Sequence, residues 1–228
     1  MAAYDLEEQE QIAEFKAWWK QYGSLLTFVI MAAAVVVLAW RGWNWYQRNQ
    51  AEQASNIYQA LQQAVQSGDT QRVKAASGEL TEKFSGTRYA ALGALVAAKA
   101  TKDAGDARTA KAQLQWAVDN GKDEIRDLAR LHLVTLLIDE KAYDEALKLL
   151  EGGVTPAFSA RFIDSRGDVL SVQDKKDEAR KAYQSALETL AGQDRQNDGA
   201  NSQSWQLQSG AVYREIIQQK LDALGVKA

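Results

Sequence analysis

Few side chains in this sequence have the chemistry of a catalytic or metal-binding centre. The 228 residues contain no cysteine and a single histidine, His132, which lies in an apolar stretch. The chain therefore lacks the residues needed for thiol catalysis, thiolate zinc sites, iron–sulfur clusters and multi-histidine metal sites. We expect His132 to have a structural role rather than a catalytic one.

The remaining polar motifs also have structural explanations. Carboxylate pairs such as Asp144 and Glu145 stand where helices are predicted to start, and the helix dipole favours acids there. The segment DRQNDG (194–199) resembles the start of a calcium loop, but Trp205 stands where such a loop needs a bidentate Glu. No glycine-rich phosphate or dinucleotide motif is present. We predict no enzyme activity, no cofactor, no metal site and no small-molecule substrate.

Five of the seven tryptophans flank one uncharged segment. The run from Gly23 to Trp40, GSLLTFVIMAAAVVVLAW, would measure about 27 Å as a helix, close to the thickness of about 30 Å of a bilayer core. Rings that prefer the headgroup region stand on both sides of it: Trp18, Trp19 and Tyr22 before, and Trp40, Trp43, Trp45 and Tyr46 after. The pattern predicts one transmembrane helix over 23–45 that anchors the chain in a lipid bilayer.

Two alternatives compete with the anchor. A buried core helix does not explain aromatic belts on both sides. A cleaved signal peptide should have a basic start and a small cleavage site, whereas residues 1–22 carry five acids against two lysines and the run ends in Trp40. The orientation stays open, because Lys16 and Lys20 on one side balance Arg41 and Arg48 on the other. We expect 1–22 to be a short acidic N-terminal segment outside the span.

Residues 46–228 are predicted to form a domain made only of helices. The chain has one proline where average usage gives roughly eleven, and its apolar residues recur with helical period. The mild acidity, with a net charge of −3, makes nucleic acid an unexpected partner. Predicted helix pairs cover about 55–84, 87–121, 123–153 and 156–190, and a capping helix covers about 203–225.

Breaks and loops separate these helices. Left-handed positions are expected at Gly68, Gly105, Gly121 and the pair Gly152-Gly153. Thr155 is predicted to cap a helix that begins with Pro156. The polar segment 191–204 is predicted to be a loop before the cap.

Three helix pairs superpose in sequence. Small residues recur at Ala110, Ala146 and Ala179, with spacings of 36 and 33 that bracket the roughly 34 of tetratricopeptide repeats. The positions four later, seven later and twelve earlier also match: Leu114, Leu150 and Tyr183; Ala117, Gly153 and Ala186; Ala98, Val134 and Gly167. The predicted fold is all-α: one N-terminal transmembrane helix, then a tetratricopeptide-like α-solenoid of about three to four helix hairpins with a C-terminal capping helix. A plain antiparallel helical bundle is the alternative.

The repeat register predicts a protein-binding groove on the first helices of the pairs. Such a groove would have mixed apolar and charged character and suit an extended or helical segment of another protein. Its predicted lining is Leu95, Lys99, Lys102, Leu131, Thr135, Ile138, Asp164, Asp168, Ser171 and Val172.

With these parts in order, the chain resembles the ancillary subunit family of the bacterial SecYEG translocon, which are tetratricopeptide-like inner-membrane proteins of Gram-negative bacteria. The resemblance covers nearly the whole chain. The stretches that carry it are EFKAWWKQYG (14–23), WRGWNWYQRNQA (40–51), FSGTRYAALGALVAAKA (84–100), RDLARLHLVTLL (126–137), YDEALKLL (143–150) and IIQQKLDAL (216–224).

The resemblance implies a single-pass protein of the bacterial inner membrane, with a cytoplasmic N-terminus and a periplasmic repeat domain. It also implies association with the SecYEG translocon and with a membrane-anchored periplasmic chaperone of the peptidyl-prolyl isomerase type. The role would be to link secretion to periplasmic folding, without catalytic residues. The alternative is an inner-membrane scaffold whose repeats face the cytoplasm and serve envelope assembly or regulation.

Overall fold

A computed structural model describes residues 2–197 and 204–225, with side chains described for residue 16 and residues 18–193 and 210–225. Helices account for nearly all of this part of the chain, and it contains no strand. The helices are α1 (Ala2–Gln66), α2 (Thr70–Lys83), α3 (Arg88–Asp103), α4 (Ala107–Asn120), α5 (Asp123–Asp139), α6 (Tyr143–Leu149), α7 (Ser159–Val172), α8 (Lys176–Asn197) and α9 (Ser204–Ala223). The predicted all-α class is confirmed.

The chain divides into two compact units, Met1–Glu52 and Gln53–Ala228. In the first unit, α1 contains a segment that is long and apolar enough to cross a membrane, with a mean hydropathy of 2.3 over 18 residues. Only 6% of this window is buried. A core helix would be mostly buried, so the low burial argues against the core-helix alternative.

The second unit contains four helix pairs, and the two helices of each pair are joined by the same type of turn. The last stretch of α1 pairs with α2, and the pairs α3/α4, α5/α6 and α7/α8 follow. Each turn has one left-handed residue: Gly68, Gly105, Lys141 or Asp174 (φ 70°, 83°, 60° and 59°). The N–H that follows it donates to a carbonyl five residues upstream, as from Asp106 to Thr101 at 2.8 Å and from Ala142 to Leu137 at 2.8 Å. This is the Schellman turn, which satisfies the last carbonyls of a helix.

A buried residue follows each left-handed position by five: Val73, Ala110, Ala146 and Ala179. The turns therefore repeat the predicted register of 36 and 33 residues and extend it one pair towards the N-terminus. A turn geometry that recurs in register favours the repeat architecture over a plain bundle.

Close approach between neighbouring helices depends on glycine at two crossings, one between α7 and α8 of the same pair and one between α2 and α3 of successive pairs. A Cβ built on Gly167 would lie 2.5 Å from Cε1 of Tyr183, and one on Gly93 would lie 2.5 Å from Cδ1 of Leu80. Both distances are shorter than carbon atoms can approach without a shift. Tyr183 and Leu80 are themselves buried, so these two crossings exclude larger residues.

Two turn predictions were wrong. Gly121 has an extended backbone with φ −69°, and the left-handed residue nearby is Asp123 at φ 47°. Thr155 does not cap with its side chain, and Pro156–Phe158 forms one 3-10 turn before α7. Proline at the start of this turn was predicted correctly, since its missing N–H has no helical partner there.

The second helix of the third pair is shorter than predicted. Helix α6 ends at Leu149, so Gly153 lies after the helix, exposed, instead of at a helix crossing, and Leu150 is only partly buried. Gly152 takes φ 88°, a conformation that stops an α-helix. The two adjacent glycines explain this departure.

The predicted loop at 191–204 is also wrong over its first half. Helix α8 continues to Asn197, because the stretch from Ala191 has one glycine, no proline and several good helix formers. Residues 198–203, and the side chains of Trp205 and Leu207 in the cap, lie outside the described part. The cap itself is α9, which packs through the buried Ile217 against α8.

Candidate protein-binding surface

The side chains of the predicted belt residues are all exposed on the surface of α1. Exposed fractions run from 45% for Tyr22 to 69% for Trp45. Trp18 and Tyr22 have ring centroids 5.9 Å apart, and Trp43 and Tyr46 have centroids 6.3 Å apart. Exposed rings that cluster on a helix surface can contact a bilayer interface. The role of the belts stays a prediction.

We call the exposed side of the first helices of the pairs, α3, α5 and α7, the A face. Of the predicted groove residues, Lys99, Lys102, Thr135 and Val172 are exposed on it. A second group is partly buried: Leu95, Leu131, Ile138, Asp168 and Ser171. Leu95 and Ile138 pack against the core between pairs, so they line the surface only at their edges.

The exposed lysines of the A face are already paired. Lys99 contacts Asp103 at 2.9 Å, and Lys102 contacts Asp139 of the next pair at 3.0 Å. Exposed pairs of this kind contribute at most about 1 kcal/mol. Because each lysine is paired with a carboxylate, this part of the A face has little net charge and disfavours neither an acidic nor a basic partner.

His132 is an exposed residue of α5, close enough to these lysines to feel their charges. Partial burial lowers the pKa of its imidazole, and the charges of Lys102 and Lys99 lower it further. The structural role expected from the sequence stays a prediction.

Asp164 and Asp168 do not line an open groove, because α9 covers them. Asp164 is 4% exposed and accepts hydrogen bonds from Tyr213 Oη at 2.8 Å and from Lys220 Nζ at 2.9 Å. Asp168 accepts from the same Nζ at 2.8 Å and from Tyr183 Oη at 2.9 Å. Register alone missed this, since the partner lies about 50 residues further along the chain.

Burial and neighbouring charges shift the pKa values of the groups that join α7, α8 and α9 at Asp164 and Asp168. Burial raises the pKa of the Asp168 carboxyl above its ordinary 3.8, although the bond from Lys220 opposes the rise. Burial lowers the pKa of Lys220, but bonds to Asp168 and Asp164 outweigh it and raise that pKa above 10.5. Burial and the nearby carboxylates also raise the pKa of Tyr213 and Tyr183. Lys220 is thus charged while it holds α9 on α7.

Sequence reasoning missed a buried ion pair on α5. Asp127 is fully buried, and Arg130 is 8% exposed with Nη1 at 3.4 Å from Asp127 Oδ1. The same guanidinium donates to the carbonyl of Leu149, the last residue of α6, and to those of Glu151 and Gly153 after it, over 2.5 to 2.9 Å. Asp127 accepts the N–H of Thr155 at 2.8 Å. The signal was two opposite charges three residues apart, beside the apolar residues Ala129 and Leu133 of α5.

Arg130 therefore replaces the missing last turns of α6. Its planar fork satisfies carbonyls that a longer helix would have satisfied itself. The guanidinium also lies 4.5 Å from the ring centroid of Phe162 on α7, so it links three elements. This network adds to the packing of the buried Ala146 against α5 and helps to hold the third pair in the stack.

Among the residues that the structure describes, no group of three or more histidines or carboxylates could hold a metal ion. An open groove of about 650 Å³ lies between the end of α1 and α2. It includes Ala60 and Gln63, whose equivalents in α5 by repeat register are Leu133 and Leu136, both buried. Small and polar residues at this free edge fit the end of a repeat stack.

Comparison with known proteins agrees with this architecture. A family model described as a tetratricopeptide repeat-like domain matches residues 16–226. An ancillary SecYEG translocon subunit of Neisseria gonorrhoeae is 31% identical over 98% of this chain and 100% of its own length. Proteins with the same name from Haemophilus influenzae and Escherichia coli are 29% and 28% identical, over 82% and 80% of this chain and 92% and 88% of theirs. With its anchor-like helix, its repeated Schellman turns and this match along the whole length, the chain belongs to the tetratricopeptide-repeat-like family of ancillary SecYEG translocon subunits.

Proposed function

We propose that the chain is a single-pass inner-membrane accessory of the SecYEG translocon that binds proteins and catalyses no reaction. The observation that carries this is the match to the Neisseria gonorrhoeae protein from end to end, apolar helix and repeats together. A shared repeat domain alone would support only protein binding. Similarity that includes the anchor supports the same membrane setting.

We further propose that the acidic N-terminal segment 1–22 is cytoplasmic, that 23–45 spans the membrane and that the repeat domain 46–228 is periplasmic. A periplasmic repeat domain could pass newly translocated proteins to a membrane-anchored chaperone of the peptidyl-prolyl isomerase type. The belts of aromatic residues would fix the depth of the span.

Fusions to Ala228 test the orientation. Alkaline phosphatase is active only outside the cytoplasm and green fluorescent protein folds poorly when exported through the translocon in unfolded form. We expect an active phosphatase fusion and a dark fluorescent fusion. The opposite pair of results would place the repeats in the cytoplasm and favour the scaffold in envelope assembly or regulation.

Copurification from mild detergent tests the partners. We expect translocon subunits and the chaperone to be recovered with the intact chain but not with a variant lacking the second unit. Recovery of the translocon without the chaperone would remove the proposed link to folding and leave the accessory role.

A further inference from the structure

We propose that the C-terminal end of the A face binds a protein segment in which apolar side chains flank an aspartate or glutamate. We call this surface the C-terminal subsite; it consists of Arg161 and Val172 on α7 and Val212 and Ile216 on α9. The proposal rests on the proposed protein-binding function and names the chemistry of the partner.

The contacts of α9 show which of its sides joins the A face. Tyr213 and Lys220 contact α7 through Asp164, whereas the carbonyl of Gly225 accepts a hydrogen bond from Arg180 of α8 at 2.6 Å. With 100° between successive residues, Val212 and Ile216 lie beyond the edge that contacts α7. The apolar stripe is therefore on the same side as the exposed residues of α7.

The other exposed side of α9 is polar. Glu215, Gln218 and Asp222 lie beyond the edge that contacts α8, as the end of a repeat stack requires for solubility. Val212 and Ile216 nevertheless keep 54% and 43% of their surface exposed, and Val172 keeps 51%. Apart from the membrane segment, these three are among the few large apolar side chains that the described residues expose. Their position beside α7 sets them apart from the polar end of the stack.

Arg161 supplies a charge beside this stripe. Its guanidinium carbon lies 5.6 Å from the ring centroid of Phe158 and 5.6 Å from that of Tyr213. The nearby carboxylate on its own helix, Asp164, is bonded to Tyr213 and Lys220. Within the described side chains Arg161 has no ion pair, so its hydrogen-bond donors are held in place and available to a partner.

Charge complementarity identifies the occupant. A guanidinium positioned by two rings offers a carboxylate a paired, planar contact, and the rings reduce the entropy lost on binding. The exposed valine and isoleucine side chains favour apolar neighbours of that carboxylate. An anionic lipid surface would call for several cations, and the adjoining exposed residues Glu215 and Gln219 supply none.

Peptide binding to the full chain in nanodiscs tests the subsite. The probes are three fluorescein-labelled helical peptides of one sequence, with leucines around a central Glu, Gln or Lys. We expect the Glu peptide to bind about tenfold more tightly than the Lys peptide, because a charge-assisted pair replaces a repulsion. Arg161→Glu should invert this preference, and Ile216→Ser should weaken binding of all three peptides.

The matched control is the variant Arg166→Glu. Arg166 is an exposed residue of α7, on the side of the helix opposite Asp168. This variant should leave the peptide preference unchanged. Equal affinity for the three peptides, or the same inversion by Arg166→Glu, would overturn the subsite. So would Arg161-dependent binding to phosphatidylglycerol vesicles without any peptide preference.

Two further measurements keep the result decisive. Circular dichroism melting shows whether the variants fold, and Arg161→Lys retains the charge with a weaker paired contact. Copurification of wild-type chain with the translocon is scored separately. Translocon recovery without a peptide preference overturns the subsite alone, whereas loss of both overturns the proposed function as well.

Discussion

Gly167 shows how one atom decides a helix crossing in this protein. The glycine lies on α7 where Tyr183 of α8 crosses, and the tyrosine ring occupies the space that a Cβ would need. The small residue was predicted from the repeat register, because its equivalents Ala98 and Val134 also face a second helix. The need for glycine itself depends on the bulk of Tyr183, which the register does not specify.

Gly167→Ala should lower the free energy of unfolding by about 1–3 kcal/mol, the usual effect of overpacking. Gly78→Ala is the control, since nothing lies within 4 Å of a Cβ built on that residue in the interior of α2. The control should be neutral or stabilising by up to about 1 kcal/mol, because alanine favours helix. Urea denaturation of both variants measures the difference, and equal effects would contradict the crossing contact.

Arg130 makes a second residue-scale prediction. Arg130→Met leaves the buried Asp127 without a compensating charge and the carbonyls after α6 without donors. We expect a loss of about 3–5 kcal/mol, as when one partner of a buried pair is removed. The double variant with Asp127→Asn should recover part of this loss, since an asparagine still accepts from the N–H of Thr155. A double variant no more stable than the single one would argue against the charge as the cause.

At the scale of elements, the repeated turn explains both the successes and the failures of sequence reasoning. The predicted pairs start at 87, 123 and 156, within three residues of the starts of α3, α5 and α7. Gly68 and Gly105 take the left-handed conformation predicted for the first two turns. The equivalent turns at Lys141 and Asp174 carry no glycine, so composition could not reveal them. The early end of α6 could not be predicted either, because the arginine that compensates for it lies on another helix.

Lys141→Gly tests the shared turn. A left-handed backbone costs a residue with a Cβ roughly 1–2 kcal/mol relative to glycine, so the variant should be more stable by about 1 kcal/mol. Lys181→Gly, an exposed site within α8, is the matched control and should lose about 1 kcal/mol. Thermal melting distinguishes the two, and destabilisation by Lys141→Gly would rule out the left-handed conformation.

The attachment of α9 should weaken at alkaline pH. The folded chain raises the pKa of Tyr213 above 10.0 and that of Lys220 above 10.5. Both groups therefore add stability in full below about pH 10, and this stability is lost as the pH rises through their folded pKa values. Urea midpoints at pH 7.5, 9 and 10.5 measure the loss. Tyr213→Phe should flatten the curve, and an unchanged pH slope in that variant would contradict the assignment.

On the scale of the whole molecule, the sequence was sufficient for the class of fold and for the family. An uncharged run between aromatic belts and a period near 34 are signals that survive without knowledge of contacts. The groove was harder to predict, because only folding shows that α9 covers Asp164 and that Leu95 and Ile138 pack into the core. Long-range contacts of this kind have no local sequence signature.

Two parts of the chain have surfaces that suit different contacts. The exposed apolar part of α1 suits a bilayer, and the repeats present an A face that is near neutral at Lys99 and Lys102 and apolar with a cation at its C-terminal end. A membrane-anchored binding protein of the proposed kind would hold its partners at the membrane, where their effective concentration is high.

Site-specific photocrosslinking in intact membranes tests the central claim most directly. A photoreactive residue at Thr135 on the A face, compared with one at Lys181 on α8, reports which proteins lie against the repeats. We predict crosslinks to SecYEG subunits or to their client chains from position 135 and few from position 181. Membranes in which position 135 gives no crosslink to the translocon, its clients or a periplasmic chaperone would contradict the account.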